Sequence, residues 1–120
     1  MADEITVTAL LRCIKNGITV QGDVSKTLTL AGNNFGGQAF TTSTAGALIP
    51  VGGLTTFGGW HFYQNNDPAI TIGLYQDGAT ATVKITDLGP GEFILFKPAA
   101  ACGCKAASGT PELYAVAFEP

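Results

Sequence analysis

Turn-forming residues interrupt this chain at short intervals, and the segments between them either alternate apolar with polar residues or are rich in Thr, Val and Ile. The Asn-Gly pair at 16–17 and the Asp-Gly pair at 77–78 favour the left-handed conformations of tight hairpin turns. The Gly-Pro-Gly sequence at 89–91 suits a type II turn, because glycine accepts positive φ at its third position. No window longer than about ten residues keeps the apolar spacing of a helix. The pattern predicts an all-β chain.

The chain has 120 residues, close to the commonest domain size, so it can build a core of its own. We count about eight strands, at the short spacing that is typical of two-layer β folds. The sequence therefore predicts one antiparallel β-sandwich or jelly roll spanning residues 1–120.

Local patterns place most of these strands. Residues 5–13 alternate with a period of two and predict a long first strand. Residues 18–30 predict its return strand, bent near Gly22, and the residues at 32–34 and 36–37 predict a loop. Within residues 60–97 we expect four consecutive strands, joined by short turns into a meander.

The last third of the chain contains a change in composition. Residues 98–111 are rich in Ala, Gly and Ser, which predicts a loop that is either mobile or functional, followed by a closing strand at 112–119. Residues 93–96 and 113–118 carry apolar side chains on both faces of the predicted strands, so we expect both faces to be covered. Leu95 is accordingly assigned to the core, where an aspartate would prevent folding.

Charged residues are sparse and the chain is acidic overall. They make up 12% of the sequence, about half of the usual ~25%, with a net charge of −3. The basic residues are scattered, so we expect neither nucleic acid nor an anionic membrane as a partner. A surface this poor in charge favours contacts between subunits. The basic residues are Arg12, Lys15, Lys26, Lys84, Lys97 and Lys105.

The first residues give no sign of export. Residues 1–4 lack a positively charged segment, and the strand that follows alternates instead of forming a continuous apolar stretch. No run approaches the length of a membrane-spanning helix. We expect a protein that stays in the cytosol where it is made, with its cysteines reduced.

His61 is the only histidine and the first candidate for catalysis. In the predicted strand, Trp60 and Phe62 point inward, and His61 and Tyr63 lie on the opposite face. A general base needs a partner within hydrogen-bond reach, and the neighbouring sequence offers none. We interpret His61 as a half-exposed strand residue.

Three cysteines together with His61 could form a zinc site. Cys102 and Cys104 are separated by one residue, however, whereas structural zinc sites use cysteines two to four residues apart. A disulfide between Cys102 and Cys104 would be strained. The prediction is reduced thiols, with Cys13 in a strand and the other two in a loop.

The remaining candidate sites have simpler structural explanations. Asp67 and Asp77 are turn-forming residues, no calcium-loop spacing is present, and the Gly pairs precede no helix. Trp60, Phe62, Tyr63 and Tyr75 could stack on a sugar, but we interpret them as core aromatics of a strand pair. We predict no catalytic, cofactor-binding or metal-binding residue, and no enzyme activity.

Two stretches of the chain resemble a family of small structural proteins of tailed bacteriophages. They are residues 59–68 (GWHFYQNNDP) with 70–73 (ITIG), and residues 88–96 (LGPGEFILF). Residues 2–7 (ADEITV) resemble the family's opening strand. The likeness is weakest from residue 22 to residue 58, and its motifs mark strands and turns instead of a site.

The resemblance implies a virion protein, and within that class a capsid decoration or cement protein. Such a protein is expected to form trimers and to bind the major capsid protein on the outside of the head. The alternatives are a tail, adaptor or fibre subunit, and, from another class, a carbohydrate- or receptor-binding module. Cys102 and Cys104 depart from the family's pattern, so the resemblance implies no role for them.

Overall fold

The computed structural model describes residues 4–29, 35–51, 54 and 58–118. These residues form ten β-strands and one short 3₁₀ helix, and every strand pair is antiparallel, which confirms the all-β prediction. The chain divides into two compact units, Met1–Ala31 and Gly32–Pro120, so the single domain stays a prediction. Residues 2–3 of the predicted opening strand and residues 32–34 of the predicted loop lie outside the described residues. The loop prediction is wrong for residues 36–37, which belong to the strand Phe35–Thr41.

The first unit is a two-stranded hairpin of β1 (Glu4–Lys15) and β2 (Ile18–Thr29). Asn16 and Gly17 have φ values of 53° and 76°, the positive pair that a type I′ turn requires. This confirms the predicted long strand and its turn. The pairing continues without interruption through Leu11 and Gly22, where a bend was expected.

The second unit consists of two four-stranded sheets, which we call the first sheet (order β3-β10-β5-β8) and the second sheet (order β4-β9-β6-β7). Strands β3 and β10, β4 and β9, β5 and β8, and β6 and β7 form nested pairs, as in a long hairpin folded over on itself. The strands are β3 (Phe35–Thr41), β4 (Ala47–Leu48), β5 (His61–Asn65), β6 (Ile72–Tyr75), β7 (Lys84–Leu88), β8 (Phe93–Phe96), β9 (Gly103–Ala106) and β10 (Glu112–Phe118).

Two predictions about connectivity are wrong. The four strands within residues 60–97 do not form a meander, because β5 and β8 pair in the first sheet and β6 and β7 pair in the second. Residues 98–111 do not form one loop, because β9 lies among them and pairs with both β4 and β6. In each case the local pattern indicates where strands occur but not which sheet they join.

The inward faces of the two sheets form the core of the second unit. Burial alternates along β10, so that Leu113, Ala115 and Ala117 are buried and the residues between them are half-buried. The two sheets bury apolar side chains against each other, at about 1.5–3 kcal/mol for each large one. The buried cluster consists of Ile49, Tyr63, Ile72, Leu74, Leu88, Cys102, Cys104, Leu113 and Ala115.

Strand β5 faces the opposite way from the prediction. His61, Tyr63 and Asn65 are at most 1% exposed, whereas Trp60 and Phe62 are half-buried. The polar residues can point inward because they have hydrogen-bond partners there. Phe62 instead stacks on a neighbouring phenylalanine on the outer face, so the apolar pattern alone indicates the wrong face.

Leu95 lies outside the core cluster. On β8 its neighbours Ile94 and Phe96 pack against the core, and Leu95 is half-buried on the outer face, opposite Phe62. The core assignment of Leu95 is therefore wrong, although both faces of β8 do carry apolar side chains.

The predicted turn at Asp77 is longer than two residues. A 3₁₀ helix (Gly78–Thr80) follows Asp77, and the side chain of Asp77 accepts hydrogen bonds from the backbone amides of Thr82 and Val83 and from the Thr82 hydroxyl. These bonds lower the pKa of the Asp77 carboxyl, and the bond from the Thr82 side chain has the largest effect. The aspartate thus organises the connection from β6 to β7.

Candidate functional site

Apolar side chains are concentrated on one face of the β1–β2 hairpin. In an antiparallel pair, directly opposite residues share a face, and side chains alternate along each strand. The pairing of Leu11 with Gly22 and of Cys13 with Val20 therefore fixes which residues lie together. We call this surface the apolar hairpin face; it consists of Ile5, Val7, Ala9, Leu11, Cys13, Lys15, Ile18, Val20, Gly22, Val24, Lys26 and Leu28.

Most of the apolar hairpin face is exposed to solvent. Leu11 is 81% exposed, Val20 68% and Ile18 66%. Only Ile5 and Val7, at the end of the hairpin away from the turn, are buried. Scattered exposed apolar residues are ordinary, but a continuous apolar strip of this kind marks a surface that binds something.

The opposite face of the hairpin is polar. Thr8 and Ser25 are paired there with hydroxyl oxygens 3.5 Å apart, and Leu10 and Ile14 are its two apolar residues. The hairpin is therefore amphipathic, which would be unnecessary if water covered both faces. This polar hairpin face consists of Thr6, Thr8, Leu10, Arg12, Ile14, Thr19, Gln21, Asp23, Ser25 and Thr27.

Among the described residues, β1 and β2 pair only with each other. A lone two-stranded hairpin is at best marginally stable in water, and three strands or a packed partner are needed for independent stability. Covering Leu11, Ile18, Val20 and Val24 would contribute about 1–2 kcal/mol for each side chain, given their partial exposure. Burial of the apolar hairpin face against a protein surface would therefore stabilise both the hairpin and the complex.

A second apolar surface lies on the outer face of the first sheet. Phe93 is 63% exposed, and its ring stacks on that of Phe62 with centroids 5.8 Å apart. Register places Leu95 beside Phe62, and Val116 on the next strand beside it. We call this surface the aromatic sheet face; it consists of Phe62, Gln64, Phe93, Leu95, Tyr114 and Val116.

The outer face of the second sheet is polar by contrast. Lys84 and Asp87 form an ion pair of 3.0 Å on the surface, and the Lys84 ammonium lies 5.8 Å from the centre of the Tyr75 ring. These residues, with Lys105, border an open recess of about 260 Å³. The two sheets of the second unit thus differ in the chemistry that they present to solvent.

His61 and Tyr63 form a buried pair inside the second unit. The Nδ1 atom of His61 and the Tyr63 hydroxyl are hydrogen-bonded at 2.6 Å, and the rings of both meet Phe96 edge-on. Burial lowers the pKa of His61 to about 4 and raises the pKa of Tyr63. The expectation that His61 is half-exposed is wrong, and its burial shields it from substrates in solution.

The cysteines divide into one exposed and two buried thiols. Cys13 lies on the apolar hairpin face, as the strand prediction requires. Cys104 lies on β9, where a loop was predicted, and Cys102 lies in the connection just before it; both belong to the core, and the Cys104 thiol lies 3.3 Å from the hydroxyl of Thr42. Burial raises the pKa of both core thiols, so they are poor nucleophiles.

Asn65 is a structurally important residue that sequence analysis missed. Its amide nitrogen donates to the carbonyls of Ile70 and Leu88, and its amide oxygen accepts from the backbone of Asp67. Asp67 itself accepts hydrogen bonds from two backbone amides in the following turn, as expected of a turn former. The Asn-x-Asp pattern was visible in the sequence, but the contact with Leu88 depends on the sheet arrangement.

The described residues form two apolar surfaces, a buried polar pair and open recesses of about 260 and 380 Å³. No group of three or more His, Cys, Asp or Glu side chains that could hold a metal ion occurs in the described part of the chain. Nor do those residues contain a helix of the length and apolar character that crossing a membrane requires. Comparison with protein-family models, with curated proteins and with solved structures finds no match to this chain.

Proposed function

We propose that this protein is a structural subunit of a bacteriophage particle that decorates the capsid and stabilises it by bridging capsid subunits. The observation that supports this best is the exposed apolar face of the β1–β2 hairpin. An amphipathic hairpin without a second layer is suited to permanent assembly, since it gains both stability and contact area when a protein covers it.

The strand order supports the same proposal. The eight strands pair in a nested order, with β10 between β3 and β5 and with β9 between β4 and β6, and this order supports a jelly-roll connectivity. We infer that the second unit is a jelly-roll sandwich, an architecture that viral capsid proteins share with lectins and other families. Fold alone does not determine function, so the hairpin remains the stronger argument.

The mechanism that we propose is stabilisation by mass action. A protein that binds the assembled shell but not its separate subunits stabilises the shell by RT ln(1 + [L]/Kd) at each site. At a concentration a hundred times Kd this is about 2.7 kcal/mol for each site, and many sites act together. Binding of this kind requires extensive surface contact, and the low proportion of charged residues in the chain favours such contact.

The experiment is to mix the purified protein with phage heads that lack small surface proteins, and to follow binding by co-sedimentation and electron microscopy. We expect the protein to sediment with the heads and to give regular density on their outer surface. Density restricted to one vertex or to the tail would assign it to the connector or tail instead. Absence of binding to any particle would contradict the proposal.

A matched pair of variants connects that result to the hairpin. Leu11→Asp with Val20→Asp places two charges on the apolar hairpin face, and Thr8→Asp with Gln21→Asp places the same charges on the polar hairpin face. We expect the first variant to lose binding to heads and the second to keep it. Equal binding by both variants would show that the hairpin is not the contact.

The carbohydrate-binding alternative is less well supported by the geometry. Of the four aromatic residues that could form a sugar platform, Tyr63 is fully buried, and Trp60, Phe62 and Tyr75 are half-buried. The Lys97 ammonium lies 5.9 Å from the centre of the Trp60 ring. A glycan array gives the test, and selective binding of one sugar class would favour this alternative over the virion proposal.

A further inference from the structure

We propose that the second unit binds a small apolar carboxylate, such as the anion of a medium-chain fatty acid, in a recess between strands β7 and β8. The recess has a volume of about 380 Å³, and its lining includes residues of neither the apolar hairpin face nor the aromatic sheet face. The inference goes beyond the proposed function, because it concerns the sandwich and not the hairpin.

The recess lies where the chain crosses from one sheet to the other. Strand β8 is the last strand of the first sheet, and β7 is the last strand of the second. The chain leaves β8 after Phe96 and reaches β9 at Gly103. The connection at 97–102 runs along this side of the sandwich and leaves the recess between itself and Ile85 of β7.

Exposure decreases from the rim of the recess to its floor. Ile85 and Phe96 are half-buried and pack against the core cluster, whereas Pro98 and Cys102 are buried. A molecule in the recess would therefore contact apolar side chains on its sides and at its inner end. Sites for small molecules have this character, with a mostly apolar lining and a few polar groups that fix orientation.

The polar atoms at the floor have partners within the protein. The Cys102 thiol donates a hydrogen bond to the carbonyl of Ala100 at 3.7 Å and is also hydrogen-bonded to the Tyr63 side chain. Burial raises the pKa of the thiol, so it is uncharged at neutral pH. The floor therefore places no demand for a polar group on the ligand, and the apolar part of the ligand points inward.

The rim of the recess is positively charged. Lys97 is exposed and is the only charged residue among the described residues that line the recess. Its ammonium lies 5.9 Å from the centre of the Trp60 ring, and a ring contact leaves N–H donors for an anion. Gln76, also exposed at the rim, carries a second side-chain donor. A carboxylate is attracted to this rim, and an ammonium group is repelled.

The volume of the recess indicates the size of the ligand. An apolar cavity of about 150 Å³ takes up a benzene molecule. A recess of about 380 Å³ therefore has room for roughly ten non-hydrogen atoms, with the polar end in solvent. Octanoate, a carboxylate on a straight hydrocarbon chain, has this size. Because an open recess covers such a ligand only in part, we expect a Kd of roughly 1 mM.

Titration of the protein with octanoate, followed by the amide resonances in NMR spectra, tests the site and its location. We expect saturable shifts at Ile85 and at residues 96–102, and little change along β1 and β2. Octanol and octylammonium have the same chain length, and we expect both to bind several-fold more weakly than octanoate. Shifts confined to the hairpin, no saturable shift, or equal affinity for octanoate and octylammonium would overturn the inference.

Two matched pairs of variants at exposed positions connect binding to the recess. Lys97→Gln should weaken octanoate binding several-fold and leave octanol binding unchanged, whereas Lys105→Gln should change neither. Ala99→Phe places a large side chain at the rim and should abolish binding of both, whereas Ala69→Phe, outside the recess, should not. Unchanged octanoate binding by both Lys97→Gln and Ala99→Phe would overturn the inference. Either result leaves the test of binding to phage heads unaffected.

Discussion

The side-chain amide of Asn65, on β5, donates a hydrogen bond of 2.9 Å to the backbone carbonyl of Leu88, at the end of β7 in the other sheet. The same amide nitrogen donates to the carbonyl of Ile70 at 2.8 Å. Because Asn65 is fully buried, these bonds satisfy polar groups that water cannot reach. One side chain thereby joins the two sheets at one end of the sandwich.

Replacing Asn65 with leucine should destabilise the protein strongly. The substitution keeps similar volume but leaves the buried Leu88 carbonyl and the partly buried Ile70 carbonyl without these donors, so we expect the free energy of unfolding to fall by about 2–4 kcal/mol. Urea denaturation followed by tryptophan fluorescence measures this. The control is Asn66→Leu at the exposed neighbouring position. A loss at Asn65 no larger than at Asn66 would contradict the assigned role.

Stability should fall between pH 6.5 and pH 4 because of His61. Burial lowers its pKa in the folded protein from 6.5 to about 4, so the unfolded chain binds more protons in this window. The contribution is fully present above pH 6.5 and decreases on acidification, by up to about 3 kcal/mol at pH 4. Denaturation across this range tests it. The His61→Gln variant, which cannot titrate here, should show a shallower pH dependence, and an identical slope would contradict the expectation.

A charge at Leu95 should be compatible with folding. The sequence assigns Leu95 to the core, but its side chain is half-buried on the aromatic sheet face. We expect Leu95→Asp to fold, and Leu74→Asp, at a position with no exposure, to be insoluble. Soluble yield and circular dichroism compare the two. Insoluble Leu95→Asp protein alongside soluble Leu74→Asp protein would reverse our assignment of the two positions.

Thiol reactivity should separate Cys13 from the other two cysteines. Cys13 is exposed, whereas burial both shields Cys102 and Cys104 and raises their pKa values. A thiol reagent should label Cys13 in the native protein and the other two only after unfolding, and native Cys13→Ser should not react. Rapid labelling of the native Cys13→Ser variant would contradict the core placement.

The sequence predicts strands and turns here better than it predicts sheets. Neighbouring residues alone determine the Asn16-Gly17 turn and the long strands beside it, through turn chemistry and a period of two. Neighbouring residues do not determine which face of β5 points inward. Burial of His61 and Asn65 depends on their hydrogen-bond partners, and one partner of Asn65, the Leu88 carbonyl, lies 23 residues away in the sequence.

The candidate site was only partly visible for the same reason. Alternation along residues 5–13 indicates one apolar face, and a period of two normally marks a face buried in the chain's own core. Most of this face is exposed, and in the described part of the chain no third strand pairs with β1 or β2, which the local pattern does not indicate. The aromatic sheet face required the strand order as well.

Amide hydrogen exchange measured in dilute solution and in the assembled state tests the central claim, that the hairpin requires a protein partner on its apolar face. In dilute solution we expect the amides of β1 and β2 to exchange much faster than those of β6 and β10, because an uncovered hairpin opens readily. On heads, the hairpin amides should become protected while the protection of β6 and β10 changes little. Hairpin amides that are as protected as those of β10 in the dilute monomer, with no change on assembly, would contradict the account.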